Sequence, residues 1–307
     1  MSNFKIGLLG DLHLRASKPI NRIDDYYSRQ FEKLKQAYDI FEDLGCSFVI
    51  QPGDFFNNYG NDPYSIVYDA VAFLILYRIP TYVVFGQHDI RFHNKDLKDI
   101  PIQILNQTDL ITKLEVTPKK IQISKDQWIY LYGVNWNESI PSVEKEKNVT
   151  KILVIHSMII KGRKLWPGQT NFLQARHLAN KNFDLVISGD NHQAFSYKDT
   201  VINCGSLMRM NIDQKEHQPM FGVYDLEEGL TLYDYDIELA EQVLKIKEAE
   251  TQKINEQRKK EFSESLSSDF EGELDYRANI DNVIANKKRI RKRTKTIIED
   301  AVGGLNE

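Results

Sequence analysis

Five apolar runs, each followed by polar or ionisable residues, recur before residue 193. β-branched and aromatic residues dominate these runs, which is the pattern of short buried strands that end in turns. The runs and the polar residues behind them are Ile6–Leu9 with Asp11 and His13, Phe48–Ile50 with Asp54, Tyr82–Phe85 with Gln87 and His88, Ile152–Ile155 with His156, and Leu185–Ile187 with Asp190 and His192. The pattern predicts strands that carry candidate chemistry at their ends.

Helical periodicity fills the gaps between the first three runs. Apolar residues recur at steps of three and four from about residue 24 to Leu44, and Gly45 supplies a stop. A second helix is predicted from about Pro63 to Tyr77, and Pro80 resets the chain for the third strand. Strands that alternate with helices predict an α/β core with its active residues at the carboxyl ends of the strands.

Strand patterns dominate the chain after Asp89, so we expect a second sheet there. Residues 165–178 are predicted to be partly helical within this part. The predicted strands cover residues 127–134, 151–155, 183–188, 200–203, 220–226 and 230–237.

The composition changes at about Glu238 to a long charged stretch without strand patterns. Sparse apolar residues at helical spacing predict one helix up to Lys260 and another over residues 280–298. We therefore divide the chain into a main domain, residues 1–237, and a charged helical C-terminal region, residues 238–307. Seven of the nine residues Lys287–Lys295 are basic. That run either contacts phosphates or an acidic partner, or forms a solvated helix surface.

The overall composition, 41% hydrophobic and 27% charged with a net charge of −4, gives no global attraction to nucleic acid or to an anionic membrane. Any DNA binding must come from local patches. Cys46 and Cys204 match no metal-binding spacing, so we expect reduced, structural thiols in a cytoplasmic protein. We expect no signal-peptide export, because a strand begins at about Phe4 without a basic and then apolar leader before it. We expect no membrane span, because no run approaches the roughly 18 apolar residues that a span needs.

The polar residues at the strand ends combine carboxylates and an amide with imidazoles. Oxygen and imidazole ligands without thiolates suit divalent Mn, Fe or Zn, and their number is enough for two ions. Two ions about 3.5–4 Å apart can bind a phosphodiester and activate a water for in-line displacement. The pattern therefore predicts a two-metal centre for phosphoester hydrolysis.

The motif order Asp-x-His, Gly-Asp, Gly-Gln-His-Asp, His and Gly-Asp-Asn-His resembles that of the calcineurin-like metallophosphoesterases over about residues 4–192. Their series is D-x-H, G-D, G-N-H-[DE], H and G-H-x-H. The resemblance implies a four-layer αββα fold, with two packed mixed β-sheets flanked by helices; here we expect a C-terminal helical extension as well. Residues 1–237 would be the catalytic domain.

The resemblance also implies roles for individual residues. His88 would be a catalytic histidine that binds no metal and protonates the leaving oxygen or stabilises developing charge. The implied ligands are Asp11, His13 and His192 for the first metal, Gln87, His156 and Asp190 for the second, and Asp54 as the bridge between them.

Two implied ligands differ from the family pattern, and both belong to the second metal. Gln87 replaces an Asn, and Asp190 replaces the first His of G-H-x-H. Both can coordinate, and the added carboxylate favours Mn or Mg over Zn. The alternative is a weakened second site and a feeble enzyme.

The segment Gly205–Arg209 and the following run Met220–Leu226 resemble the G-S-x-x-R segment and next strand of SbcD-type DNA repair exonucleases. That branch implies a DNA exonuclease or endonuclease with two divalent ions, here Mn in the first place, a coiled-coil ATPase partner of the SbcC type, and a homodimer. In that branch a capping domain and a docking element follow the catalytic domain, and residues 238–307 could hold only a reduced version. Two alternatives stay open: a phosphoesterase of the same fold for small phosphodiesters or phosphoproteins, and a non-catalytic DNA-binding scaffold.

Overall fold

The computed structural model describes residues 4–60, 64–91, 98–246, 257–261 and 294. The chain divides into two compact units, Met1–Ile246 and Lys247–Glu307. In the second unit, residues 257–261 are helical. The predicted helix over residues 280–298 and the basic run Lys287–Lys295 lie outside the described residues, apart from Thr294.

The described residues of the first unit form five α-helices, two of which were predicted closely. The side chain of Asp25 caps the first helix by accepting a hydrogen bond from the backbone nitrogen of Ser28. Gly45, at a φ of 67°, follows its C-terminus, as the sequence predicts. The helices are α1 Tyr26–Asp43, α2 Tyr64–Tyr77, α3 Pro101–Gln107, α4 Ala175–Leu178 and α5 Ala240–Val243.

Most of the strands follow the predicted apolar runs, with short additions. The strands are β1 Lys5–Leu8, β2 Cys46–Gln51, β3 Thr81–Val83, β4 Thr112–Lys113, β5 Lys119–Gln122, β6 Trp128–Val134, β7 Val149–His156, β8 Ile159–Ile160, β9 Leu173–Gln174, β10 Leu185–Gly189, β11 Phe195–Tyr197, β12 Val201–Asn203, β13 Met220–Asp225 and β14 Gly229–Asp234.

The first sheet has the strand order β14-β13-β1-β2-β3-β4. Strands β1 to β4 run parallel, so the segments after β1, β2 and β3 leave the sheet at one edge. The last two strands return to this sheet, with β13 antiparallel to β1 and to β14. The strands predicted over residues 220–226 and 230–237 therefore belong to the first sheet and not to the second.

The second sheet has the order β11-β12-β10-β7-β6-β5, and β8 and β9 form a separate pair. Strands β6, β7, β10 and β12 are parallel, so His156 at the end of β7 lies beside Gly189 at the end of β10. This register brings the fourth and fifth polar motifs together.

The two sheets pack face to face through apolar side chains of both. Ile6 and Leu8 from β1 pack in one cluster with Ile152 and Val154 from β7. The other face of the first sheet packs against α1 and α2, where Tyr38 and Phe41 are buried, and the other face of the second packs against α4. The predicted fold class, two packed mixed sheets flanked by helices, is confirmed.

The first compact unit extends past residue 237, because Val243, Leu244 and Ile246 are buried in it. Cys46 and Cys204 are free and buried, and burial raises the pKa of both thiols. Within the described residues, no helix is both long and apolar enough to cross a membrane.

Candidate metal centre

Segments after β1 and β2 are held together by backbone hydrogen bonds. The backbone nitrogen of His13 donates to the carbonyl of Asp54 over 2.9 Å, and that of Asp11 donates to Gly205 O over 2.9 Å. Asp190 N, at the end of β10, donates to Asp11 Oδ2 over 2.9 Å. These bonds hold four of the predicted ligands, Asp11, His13, Asp54 and Asp190, close to one another.

Three predicted ligands adopt the left-handed backbone conformation, which non-glycine residues rarely take. The φ angles are 47° for His13, 51° for Asp54 and 74° for Asp190. Such strain costs of order 1–3 kcal/mol per residue and clusters at functional sites. The surrounding hydrogen bonds hold these residues in a backbone conformation that is unfavourable for non-glycine residues.

The structure brings five of the seven predicted metal ligands, together with His88, into three overlapping groups. In each group the candidate ligand atoms lie within 4.8 Å of one another. The groups are Asp11, His13 and His192; Asp11, Asp54 and His156; and His13, Asp54 and His88. Asp11, His13 and Asp54 each belong to two of these groups, so the three groups form one continuous cluster.

Distances within these groups suit atoms that share an ion. His13 Nε2 lies 3.0 Å from His192 Nε2, and His156 Nε2 lies 3.3 Å from Asp54 Oδ2. His192 Nε2 is 3.7 Å from Asp11 Oδ2. Two ligands about 2.0–2.1 Å from one tetrahedral ion are themselves separated by about 3.3 Å.

Several buried polar atoms of the cluster have no hydrogen-bond partner, which is rare in folded proteins. In His156, the Nδ1–H donates to Pro52 O over 2.7 Å, which orients the other ring nitrogen, Nε2, toward the cluster. The atoms without a partner are Asp11 Oδ1, His13 Nδ1, Asp54 Oδ2, Gln87 Oε1 and His156 Nε2. This donor set of oxygens and imidazole nitrogens fits divalent cations.

Electrostatics in the cluster favour positive charge beside Asp54. Burial raises the pKa of Asp54, but the nearby His156 and His13 outweigh burial and hold it below its usual range. Burial lowers the pKa of His156, but Asp54 outweighs burial and raises it to about 10. Burial lowers the pKa of His13 to about 3, so this imidazole is neutral and able to bind a metal at pH 7.

Glycines next to the ligands leave no room for a side chain. A Cβ on Gly86 would lie 2.1 Å from Asp54 Oδ1, and one on Gly189 would lie 2.4 Å from Asp11 Oδ1. The two glycines therefore permit the backbone of the third and fifth motifs to approach the carboxylates closely.

His88 lies at the edge of the cluster, and two hydrogen bonds fix it. Its backbone nitrogen donates to Asp54 Oδ1 over 2.8 Å, and its Nδ1 lies 2.8 Å from Asn57 O. Because a carbonyl oxygen only accepts, Nδ1 carries the hydrogen. The other ring nitrogen, Nε2, is therefore the one that can exchange a proton with a substrate.

Asp89 supports the same turn, a role that sequence reasoning missed. Its carboxylate accepts hydrogen bonds from Gly86 N and Phe56 N, both over 3.0 Å. Burial, followed by the charge of Asp54, raises the pKa of Asp89 to about 7. The signal in the sequence was its place directly after His88.

The two residues that depart from the family pattern contact each other. Gln87 Nε2 donates to Asp190 Oδ1 over 2.8 Å, while Gln87 Oε1 is one of the buried atoms without a partner. Asp190 belongs to none of the three groups, although it lies beside them. The structure therefore brings Gln87 and Asp190 to the predicted second site as a hydrogen-bonded pair.

The segment Gly205–Arg209, which resembles the SbcD-type nucleases, is held by hydrogen bonds within the protein. Arg209 is 5% exposed and its guanidinium donates to the carbonyls of Lys215 and Glu238. Gly205, at a φ of 74°, accepts the hydrogen bond from Asp11. Gly205 therefore helps to position Asp11, and Arg209 holds the segment that follows it, part of which lines the cleft described next.

A cleft of about 790 Å³ opens beside the cluster. Gln87, His88, Asp190 and His192 line it, and so does Trp166, which is 50% exposed. Residues 165–178 were predicted to be partly helical, and the helical part is Ala175–Leu178, whereas residues 161–168 form an exposed loop. In the sequence, the aromatic residue Trp166 at the end of the basic segment Lys161–Trp166 could have indicated that this segment contributes to the site.

The chain resembles solved structures of low sequence identity. The protein TT1561 of Thermus thermophilus is 15% identical, with a TM-score of 0.47, and the likeness covers 76% of this chain and 99% of that one. A dimetal phosphatase from Danio rerio is 14% identical, with a TM-score of 0.45, over 76% of this chain and 96% of that one. Calcineurin-like phosphoesterase YfkN from Bacillus subtilis is 14% identical, with a TM-score of 0.44, over 78% and 91%. No curated protein matches the sequence.

A family model described as calcineurin-like phosphoesterase matches residues 4–194. The match spans more than half of the 307 residues and includes all five polar motifs. The chain belongs to the calcineurin-like phosphoesterase family, whose members are metal-dependent hydrolases.

Proposed function

We propose that this protein is a divalent-metal-dependent phosphodiesterase that cleaves DNA, in the manner of the SbcD-type nucleases. The observation that carries the hydrolytic part is the set of buried, partnerless oxygen and nitrogen atoms beside an open cleft. The choice of DNA is supported by the resemblance of the Gly205–Arg209 segment and by exposed cations near the cleft, described below.

The proposed ligands follow the sequence prediction. Asp11, His13 and His192 would hold one ion, Gln87, His156 and Asp190 the other, and Asp54 both. Bound divalent ions supply Lewis-acid chemistry, which neutralises phosphate charge and acidifies water. Mn²⁺ is the proposed ion, because Asp190 adds a carboxylate to the second site.

The chain's own residues contribute orientation and proton transfer. Pro52 O and Asn57 O each accept a hydrogen bond from a histidine Nδ1, which aims the Nε2 atoms of His156 and His88 into the site. His88 lines the cleft, where it would pass a proton to the leaving oxygen of a bound phosphodiester or stabilise the charge that develops there.

A second candidate function, hydrolysis of small phosphodiesters, is favoured by the cleft itself. Its volume of about 790 Å³ falls in the roughly 300–1,000 Å³ range of small-ligand pockets. Asp213 and Glu216 line it and would repel the second strand of a DNA duplex.

Digestion of linear DNA in Mn²⁺, Mg²⁺ or EDTA tests the proposal. Wild-type protein should cleave in Mn²⁺ and not in EDTA, and Asp54→Ala should abolish cleavage. His88→Ala should lower the rate about 10²–10⁴-fold, because it removes the proton donor. Asp126→Ala, at an exposed carboxylate in the β5–β6 turn, is the matched control and should keep full activity.

Full activity in Asp54→Ala or His88→Ala would contradict the mechanism. Hydrolysis of bis-p-nitrophenyl phosphate or a cyclic nucleotide without DNA cleavage or binding would favour the second candidate. One bound ion per chain with no hydrolysis would favour a non-catalytic DNA-binding scaffold.

Two partner proposals accompany the nuclease assignment. A coiled-coil ATPase of the SbcC type remains a prediction from the resemblance, and most of the C-terminal region expected to dock it lies outside the described residues. A homodimer is supported by exposed apolar side chains on α2, among them Tyr68 and Leu76.

A further inference from the structure

The loop between β8 and β9, residues 161–172, is tied directly to the metal centre. Its two flanking strands pair in parallel, and Leu173 N donates to Met158 O over 2.8 Å. Asn191, which is buried between Asp190 and His192, donates from Nδ2 to Ile159 O over 2.8 Å. The fifth metal motif and the base of this loop therefore hold each other in position.

Gln169 fixes the outer part of the loop. It is 2% exposed, its Oε1 accepts the backbone N–H of Leu165 over 2.9 Å, and its own backbone nitrogen donates to Trp166 O. A buried amide that bonds to the loop's backbone limits the positions that Trp166 can take.

Three cations precede Trp166 in the loop, and all are exposed. Among the described residues, Lys161, Arg163 and Lys164 have no ion-pair partner. Lys164 Nζ lies 5.8 Å from the centre of the Phe172 ring. Cations without carboxylate partners keep their full attraction for an anion such as a phosphate.

Trp166 is half exposed, yet it lines the same cleft as His88 and His192. An aromatic ring close to exposed cations without carboxylate partners is the arrangement by which proteins bind single-stranded nucleic acid, with bases stacked on the ring and phosphates on the cations. Stacking of this kind is independent of sequence, because every base has an aromatic face.

Negative charge on the rest of the cleft favours the binding of single-stranded DNA over duplex DNA. Asp213 and Glu216 line the cleft together with Trp166. A duplex carries a second row of phosphates that would come near these carboxylates, whereas a single strand can follow the basic loop alone.

We propose that the loop Lys161–Trp166 binds one strand of single-stranded DNA at the metal centre, with Trp166 stacked on a base and Lys161, Arg163 and Lys164 on the backbone phosphates. The inference rests on the proposed DNA phosphodiesterase and names the form of DNA that the cleft accepts. It assigns substrate binding to a loop outside the five metal motifs.

Binding of a fluorescent oligothymidylate of about 12 nucleotides to full-length protein in EDTA tests this, because binding is then separate from cleavage. Trp166→Ala should weaken binding about tenfold, and Trp166→Phe, which keeps an aromatic face, should restore most of it. A duplex of the same length and thymidine monophosphate should both bind more weakly than the single strand.

The salt dependence of the same binding tests the cations. Replacing Lys161, Arg163 and Lys164 by Gln should reduce the slope of log K against log salt by about 2, at roughly 0.7 per phosphate contact. The matched control replaces Lys119, Lys125 and Lys147, three exposed lysines outside the loop Lys161–Trp166, and should leave the slope unchanged.

Unchanged affinity in Trp166→Ala, or equal binding of the duplex or of the mononucleotide, would overturn the inference. These outcomes are distinct from failure of the proposed function. If the protein cleaves DNA but Trp166→Ala binds the single strand as well as wild type does, the loop has no role in binding and the nuclease proposal stands. If the protein binds the single strand through this loop but cleaves no DNA, the loop's role stands and the nuclease proposal fails.

Discussion

At the scale of single residues, the most informative contact is the hydrogen bond from Gln87 to Asp190. The calcineurin-like motif series has Asn and His at these positions, and the two replacements here touch each other over 2.8 Å. The longer arm of Gln87 reaches the Asp190 carboxylate and leaves Oε1 without a partner. The two departures from the family pattern therefore act as a pair, which neither position indicates alone.

A double-mutant cycle measures this coupling. Gln87→Asn shortens the amide and Asp190→His removes its acceptor, so each change should weaken Mn²⁺ binding at the second site about tenfold. The double variant, which carries the family's own pair, should lose less than the two single losses combined. Isothermal titration with Mn²⁺ gives the affinities, and strictly additive losses would show that the residues act independently.

At the scale of elements, the site depends on strand ends and on the glycines that permit their approach. The third motif follows β3, and Gly86 lies against both the side chain and the backbone of Asp54. The same turn is held by Asp89, which bonds to Gly86 N and Phe56 N. A small change in this turn should therefore displace the carboxylate of Asp54, the proposed bridge between the ions.

Gly86→Ala tests the close approach. The added Cβ would lie 2.1 Å from Asp54 Oδ1 and 2.5 Å from Asp54 N, so the turn must shift. We expect at least tenfold weaker Mn²⁺ binding and a lower melting temperature. Gly60→Ala is the matched control, because nothing lies within 4 Å of its added Cβ. Wild-type metal affinity in Gly86→Ala would show that the turn is not constrained as described.

Local pattern was enough to predict the strand ends and most of the site, for a physical reason. Asp11, Asp54 and His156 each follow a run that is apolar on both faces, and such runs are buried strands whose ends share one sheet edge. The pairing of β13 with β1 was not predictable, because an apolar run does not reveal which of two sheets it joins. The bond from His88 Nδ1 to Asn57 O and the place of Trp166 in the cleft depend on distant loops, which sequence patterns do not show.

At the scale of the whole molecule, α2 is apolar on nearly all sides, including the side that faces solvent. Tyr64 is 87% exposed, Tyr68 72%, Ile75 48% and Leu76 73%. A helix that is apolar all round is normally covered, so this surface supports the proposed homodimer.

Light scattering coupled to size-exclusion chromatography tests the dimer. Wild-type protein should have the mass of two chains, and the double variant Tyr68→Glu, Leu76→Glu should have the mass of one, because charge on the surface prevents its burial. Leu239→Glu is the control, since Leu239 is also exposed, at 69%, but lies outside α2. A monomeric wild type or a dimeric double variant would contradict the proposal.

Seven residues are proposed to form a two-metal centre: Asp11, His13, Asp54, Gln87, His156, Asp190 and His192. Anomalous X-ray diffraction at the manganese edge, from crystals grown with Mn²⁺, would locate the ions. We expect two peaks about 3.5–4 Å apart, with Asp54 between them and the partnerless atoms of Asp11 and His156 facing them. A single peak, or peaks only elsewhere on the molecule, would contradict it.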